Sequence, residues 1–388
     1  MNLPVPDGWT AKTLSDVCST ITDGTHYTPT YVTRGVPFYS VENVTGNEFR
    51  NVKHIGLDEH RRLIRRCKPE RGDILMTRIG SLGQTKLIDW DVDASIYVSL
   101  ALLRPSQQID GEYLYAYTKS NAFIRAIEDK SLKWAVPKKI NMAEIGEVPV
   151  LIPDDRLEQQ LIASVLLELE RDEANLHELL QKKRDIKQGL MQELLTARTR
   201  LRGFEGDWSR VSLGSLSQIK TGSRNNQDKV AGGKYPFFVR SKNIEQIDSY
   251  DFDCEAILVP GEGGIGSIFH YISGKFAVHQ RVYMISGFRS GVSAKFVYQY
   301  MQQFFGAHAM EKTVKATVDS LRRPAFTEFS LLMPPTREEQ EAIAQLLLDA
   351  DEEILALERQ LESARAIKEG MMQELLSGRT RLVPEVAS

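Results

Sequence analysis

The sequence predicts an α+β fold: two pseudo-symmetric globular domains separated by two long helices that form an antiparallel coiled coil. Three observations predict it. The chain repeats itself at a constant interval. Leu151-Ile152-Pro153 returns as Leu332-Met333-Pro334, and Glu158-Gln159 as Glu339-Gln340. Met191-Gln192-Glu193-Leu194-Leu195 returns as Met372-Gln373-Glu374-Leu375-Leu376, and Arg198-Thr199-Arg200-Leu201 as Arg379-Thr380-Arg381-Leu382, each pair 181 positions apart. A register held without gaps marks two copies of one unit, and such a molecule suits a two-sided ligand. The second observation is a long apolar stripe at helical spacing in each copy. The third is a set of short strand-like runs, divided by Gly and Asp, ahead of each stripe. The expected layout is a globule over 1–153, a helix over 154–201, a globule over 202–335 and a helix over 336–388.

In the first globule the strand-like runs are Val36-Pro37-Phe38-Tyr39, Asp73-Ile74-Leu75-Met76 and Leu100-Ala101-Leu102-Leu103. The first helix carries Ile162, Val165, Leu166, Leu169, Leu176, Leu179, Leu180, Ile186, Leu190 and Leu194 on one face. Asp154 and Asp155 follow Pro153 and place acid at the positive end of the helix dipole. At 1.5 Å per residue the span 154–201 is about 72 Å long. A rod that long with one apolar face needs an equally long partner, and the second helix has matching length and stripe. The competing arrangement packs each helix on its own domain.

The second globule echoes the first with looser spacing. Trp9 and Leu14 match Trp208 and Leu213; Val36-Pro37-Phe38 matches Tyr235-Pro236-Phe237; Ile74-Leu75 matches Ile257-Leu258. Gly80-Ser81-Leu82-Gly83 matches Gly263-Gly264-Ile265-Gly266, and Tyr113, Tyr115 and Tyr117 match Phe296, Tyr298 and Tyr300. The framework is shared while the polar residues between differ, as expected of one scaffold with two contact surfaces carried on loops. The second helix runs from about Thr336 to Leu382, with a stripe from Ile343 to Leu375.

The bulk numbers narrow the class. A chain of 388 residues, 42% hydrophobic and 26% charged, is an ordinary globular composition with room for two to four domains. No apolar run reaches the roughly 18 residues of a membrane span, and the opening MNLPVPDGWT has no signal-peptide pattern. Cys18, Cys67 and Cys254 are odd in number and unpaired by spacing, so neither a disulfide framework nor a zinc site is expected and a cytoplasmic location fits. The four segments carry formal charges of +1, −2, +4 and −6 in chain order. Mildly positive globules between acidic helices point weakly to nucleic acid at the globules.

Signatures of catalysis are missing. No phosphate-binding G-x-x-x-x-G-K-[ST] loop occurs. Gly261, Gly263 and Gly266 spell G-x-G-x-x-G, but an alternating strand-like run follows, and no acid comes before Glu311. A tight turn or a close backbone approach explains these glycines better. The seven histidines are scattered, and no metal site is expected. Glu128-Asp129-Lys130 lacks the upstream Pro-Asp of a nuclease site and reads as a solvated helix end, and Met333-Pro334-Pro335 opens the second rod. No catalytic residue is expected.

Two variable globules, each followed by a repeated long helix, resemble the specificity subunit of type I restriction–modification enzymes. The resemblance covers essentially the whole chain. It is carried by Gly8-Trp9 with Leu14, by Gly72-Asp73-Ile74-Leu75 leading to Gly80-Ser81-Leu82-Gly83, and by both copies of the Pro153 to Leu195 pattern. Asp154 stands where the second copy has Pro335, a departure that touches only the helix start. The resemblance implies two target-recognition domains, each reading half of a bipartite, non-palindromic sequence in double-stranded DNA. It implies paired helices that fix the spacer and dock two modification (methyltransferase) subunits, and it admits restriction/translocase subunits as well. It implies no cofactor in this chain, with S-adenosylmethionine on the methyltransferase partner. A specificity subunit of a type IIB-like system, and a coiled-coil adaptor that binds no DNA, stay open as alternatives.

Base reading favours Arg, Lys, Asn and Gln on loops, because these side chains can bond two base-edge atoms at once. The candidates in the first globule are Thr25, His26 and Tyr27; Ser40 and Asn43; and Arg78, Ser81 and Gln84. Those in the second are Ser223, Arg224, Asn225 and Asn226; Arg240, Lys242 and Asn243; and His279, Gln280 and Arg281. Lys133, Lys138 and Lys139, with Arg322 and Arg323, are expected on phosphates. Glu158, Gln159, Glu339 and Gln340 are the candidates for partner docking, against the alternative that they are ordinary helix surface.

Overall fold

The structure, a computed structural model, describes residues 5–312 and 320–382. Residues 1–4 of the opening read for a leader lie outside them. The chain folds as two compact units, Met1–His177 with Gln360–Ser388 and Glu178–Arg359. Both boundaries fall inside the long helices. Each unit therefore holds one globule together with part of each helix.

In unit one, Trp9–Thr13 pairs antiparallel with Pro149–Pro153, so the strand that opens the globule meets the strand that leads into the first long helix. Among the described residues one four-stranded sheet runs Cys18–Asp23, Leu100–Pro105, Ile74–Thr77, Thr85–Leu87, antiparallel throughout. A second joins Tyr31–Val32, Lys53–Ile55, Val36–Tyr39 and Ser95–Ile96, the last pair parallel. Helix Gly111–Thr118 buries Tyr113 and Tyr117 completely, and the Tyr113 hydroxyl donates to the Leu151 carbonyl at 2.8 Å. Ile162, Ala163 and Leu166 of the first long helix close this core, with Leu375 and Leu376 from the end of the second. A fully buried Leu or Ile contributes about 1.5–3 kcal/mol, so the helices are structural parts of the unit.

Unit two repeats the frame. Ser209–Ser212 pairs antiparallel with Ser330–Met333. Its sheet is larger, in the order Gln218–Thr221, Val282–Ser286, Phe252–Pro260, His270–Val278, Tyr235–Phe238, Glu245–Ile247. One helix, Ala294–Lys312, stands where unit one has two, Gly111–Thr118 and Asn121–Asp129. Its Phe296, Tyr300 and Phe305 pack with Leu194, Leu195, Ile343 and Leu347 of the long helices.

The long helices span Arg156–Leu194 and Arg337–Leu375, 39 residues each. The expected helix to residue 201 is therefore too long by several residues. Ala197 takes φ 57° and Gly378 takes φ 68°, the same left-handed stop 181 positions apart. Around it Arg198 N–H donates to the Glu193 carbonyl and Arg379 N–H to the Glu374 carbonyl, each at 3.1 Å, which turns the chain out of the helix. The two helices run antiparallel within each unit. In unit one Glu158 pairs with Arg381 and Glu173 with Arg365 and Lys368. In unit two Lys187 pairs with Asp351, Arg184 with Glu358 and Arg200 with Glu339. The apolar stripe is not wholly spent on this pairing. Leu180 and Leu357 are buried in unit two and Leu361 in unit one, whereas Ile186 stays 48% exposed and Ile367, its repeat, 53%.

Candidate nucleic-acid interface

Both units build the same loop-bearing frame with different side chains on it. In unit one the Thr25 N–H donates to the Ile96 carbonyl at 3.0 Å and the Val98 N–H to Thr25 at 2.9 Å. In unit two the Arg224 N–H donates to Val278 at 3.2 Å and the Gln280 N–H to Arg224 at 2.9 Å. The tight turns Leu100 N–H to Tyr97 and Val282 N–H to His279, both 2.9 Å, complete the match. Gly24 and Gly222 are obligatory here, since a Cβ would lie 2.0 Å from the Ile96 carbonyl oxygen in one case and 1.9 Å from that of Val278 in the other. Thr25-His26-Tyr27 thus occupies the place of Arg224-Asn225-Asn226, and Tyr97-Val98-Ser99 that of His279-Gln280-Arg281.

In unit two the frame brings distant candidates together. Asn225, Asn226, Arg240, His279, Gln280 and Arg281 line one polar cleft of about 500 Å³, with Gln227 and Glu262. Gln280 Nε2 donates to Asn225 Oδ1 at 2.5 Å. Glu262 sits between two guanidinium groups, Arg240 at 3.2 Å on one oxygen and Arg281 at 3.3 Å on the other. Both arginines are exposed and keep N–H groups for outside acceptors. His279 is buried and its Nδ1 accepts the Arg281 N–H at 3.0 Å. Burial, then Arg240, hold its pKa below the usual histidine range, so it stays neutral and shapes the loop.

Other candidates fall elsewhere. Arg224 is half-buried and spent on Asp251, with Nε at 3.0 Å and Nη2 at 2.6 Å. Ser223 is exposed beside it. Lys242 lines a separate cleft with Lys187 and His270, and the Asn243 carbonyl accepts from the Ser241 hydroxyl. Arg322 and Arg323 are exposed at the start of helix Arg323–Thr327.

Unit one is organised around a buried acid that the sequence did not single out. Asp23 takes Arg66 at 2.5 Å, His26 at 2.9 Å and Arg78 at 3.1 Å. Arg78, expected to read bases, is instead buried, and it also donates to the carbonyls of Val98 and Ile140. Thr25 is buried as well. Ser40 and Asn43 are used on the backbone, where Asn43 Oδ1 accepts the Ser40 N–H at 2.8 Å and caps helix Val41–Gly46. His26 and Tyr27 are 60% and 52% exposed, on a cleft with Arg62 and Arg66. Ser81, Gln84, Lys133, Lys138 and Lys139 are exposed.

The four expected docking residues turn inward. Glu158 and Glu339 are fully buried, each in a forked pair with an arginine: Arg381 at 2.5 and 2.7 Å, Arg200 at 2.8 Å twice. Gln159 donates to the Pro153 carbonyl at 2.8 Å and Gln340 to that of Pro334 at 3.2 Å. These residues hold the helix starts and present no surface to a partner.

Arg66 and Glu262 line the two clefts and were missed, as was Tyr97 at the place of His279. Carrying the spacing between Leu100 and Val282 back to His279 reaches Tyr97 from sequence; nothing local marks Arg66 or Glu262. Among the described residues no group of three or more His, Cys, Asp or Glu could hold a metal, and no helix is long and apolar enough to cross a membrane. Burial pushes the thiols of Cys18 and Cys67 up to about 12, so both stay protonated at neutral pH.

Comparison with known proteins agrees with this frame. A family model described as the type I restriction modification DNA specificity domain matches residues 6–188 and again 205–364. The type I restriction enzyme EcoDI specificity subunit of Escherichia coli is 32% identical over 169 residues, 44% of this chain but only 35% of that protein. A putative type I restriction enzyme MjaX specificity subunit of Methanocaldococcus jannaschii is 21% identical across 97% of this chain and 95% of its own length. In fold, the crystal structure of a type I restriction–modification S subunit from M. genitalium superposes with a TM-score of 0.72 over 97% of both chains at 14% identity. The chain belongs to the type I restriction modification DNA specificity family and carries the family's domain twice.

Proposed function

We propose that each unit reads one half of a bipartite, non-palindromic DNA target. The observation that carries this reading is the shared loop frame with unlike side chains: Arg240, Gln280 and Arg281 around a polar cleft in unit two, His26, Tyr27 and Arg66 in unit one. Arg281 and Arg240 suit guanine O6 and N7, which take two parallel N–H groups. Lys133, Lys138, Lys139, Arg322 and Arg323 hold phosphates and set the register. The paired long helices act as the ruler that fixes the unread spacer.

Two modification subunits supply the chemistry, with S-adenosylmethionine bound on them, and restriction/translocase subunits can join. The work on DNA takes place in the cytoplasm. The docking surface is moved from Glu158 and Glu339 to exposed apolar positions of the helices. Ile186 and Ile367 are repeats of each other, one in each unit, as two identical partners require.

Long-read methylation mapping of a host with and without the chain tests the reading. An interrupted, asymmetric motif is expected only when the chain is present. Arg281→Ala should relax one half of that motif and leave the other half and the spacer alone. A motif that is unchanged by loss of the chain would sink the proposal.

A further inference from the structure

The loop 131–139 of unit one carries the most exposed apolar side chains among the described residues. Trp134 is 95% exposed and Val136 98%. Isolated surface apolar residues are ordinary, but a tryptophan bared to this degree on a fixed loop is not. The loop is fixed at its neck. The Leu132 N–H donates to the Lys139 carbonyl at 2.9 Å, and the Ala135 N–H to Leu132 at 3.2 Å. It is also bonded to the neighbouring loop: the Gly80 N–H donates to the Lys138 carbonyl at 2.8 Å, and Ile140 N–H to Arg78 at 3.1 Å. Ser81 and Gln84, candidate readers, stand on that neighbour.

The charge around the tip selects the partner. Lys133, Lys138 and Lys139 are all exposed, and 131–139 contains no carboxylate. An apolar tip flanked along the chain by exposed lysines matches a stacked, polyanionic ligand. We propose that this loop is a wedge finger whose Trp134 inserts against the bases of the DNA target, with Val136 beside it and the three lysines on flanking phosphates. An inserted apolar side chain partly unstacks one base step and kinks the duplex, and cationic neighbours offset the crowding of phosphates. The inference rests on the reading of the chain as a DNA-specificity subunit.

Among the described residues an exposed tryptophan occurs in unit one alone. The bridges Ile79 with Lys139 and Glu262 with Ser320 correspond in the two units, and Lys139 and Ser320 are 181 positions apart. In the sequence the residue 181 positions after Trp134 is Lys315, and 313–319, which lie outside the described residues, contain no aromatic residue. Distortion is therefore expected in one half of the target.

The test uses the full chain assembled with its methyltransferase subunit and a duplex bearing the mapped target. 2-Aminopurine is scanned through both halves. With the natural chain, brightening is expected at one step in one half. Trp134→Ala should abolish it and weaken binding about tenfold, the scale of one aromatic–base stack, with no change in the salt slope because no charge is lost. Trp134→Phe should keep most of both effects. The triple change of Lys133, Lys138 and Lys139 to Ala should instead flatten the salt slope. Binding and brightening unchanged in Trp134→Ala would overturn the finger while leaving sequence reading intact. So would loss of the methyltransferase subunit from that variant on size exclusion, which would make the loop a protein contact. Absence of any sequence preference in the natural complex would overturn the underlying reading itself.

Discussion

A carboxylate with no exposure is costly unless its charge is met, and this chain meets it twice in the same way. Glu158 has Arg381, and Glu339 has Arg200, each arginine reaching from just beyond the end of the other long helix. Arg381→Leu strands the buried Glu158 charge and is expected to cost about 3 kcal/mol in urea unfolding. Adding Glu158→Leu should recover much of that loss. A double variant as unstable as the single one would show that the charge pair is not the reason. The neighbouring stop offers a gain instead. Ala197 holds a left-handed conformation that its repeat fills with Gly378. Ala197→Gly should therefore stabilise by about 0.5–1 kcal/mol, read as a rise in the urea midpoint. The reverse change, Gly378→Ala, meets both the strained φ and a Pro6 Cγ at 2.6 Å from the new Cβ, and a clear loss is expected.

At the scale of elements the long helices were legible because a repeat doubles every signal. Stripe, Glu-Gln pair and the Arg-Thr-Arg-Leu tail each occur twice, so their order is legible from the sequence alone. Their ends were less legible, since an alanine in the left-handed region leaves no mark; only Gly378 in the other copy hinted at it. The loops that carry the candidate readers divide similarly. In unit two the polar residues are dense and consecutive, and the structure gathers Asn225, Arg240, Gln280 and Arg281 into one cleft. In unit one Thr25 and Arg78 are drawn inside. Arg78 is held there by Asp23, a buried acid 55 positions away whose need for partners no local pattern shows. The pairing of the helices can be probed by acid. Burial works against ionised Glu173, but Lys368 and Arg365 outweigh it and hold its pKa below the ordinary carboxylate range. Its stabilising pair is thus complete above the unfolded-state value and fades as pH falls through the lowered folded one. Glu173→Gln should remove part of the acid sensitivity of unit one while lowering its stability at neutral pH. An unaltered pH profile of thermal unfolding would rule that role out.

For the molecule as a whole, the ruler is the idea most open to a geometric test. The helices are the only elements that pass from one compact unit into the other among the described residues, at His177/Glu178 and Arg359/Gln360. Four residues inserted at that level in both helices add about 6 Å of rise. At about 3.4 Å per base pair that is between one and two base pairs. Four residues also turn the helix by roughly 40° beyond a full circle, so the apolar stripe is nearly preserved and each unit keeps its own core. Neither polar cleft is touched. Methylation mapping of the lengthened chain should then return the same two half-motifs with a longer interval between them. Insertion in one helix alone breaks the matched ladder of Glu173–Arg365 and Lys187–Asp351, and loss of methylation is expected there. An interval that stays constant in the paired insertion, with both half-motifs intact, would mean that something other than the helices measures the spacer.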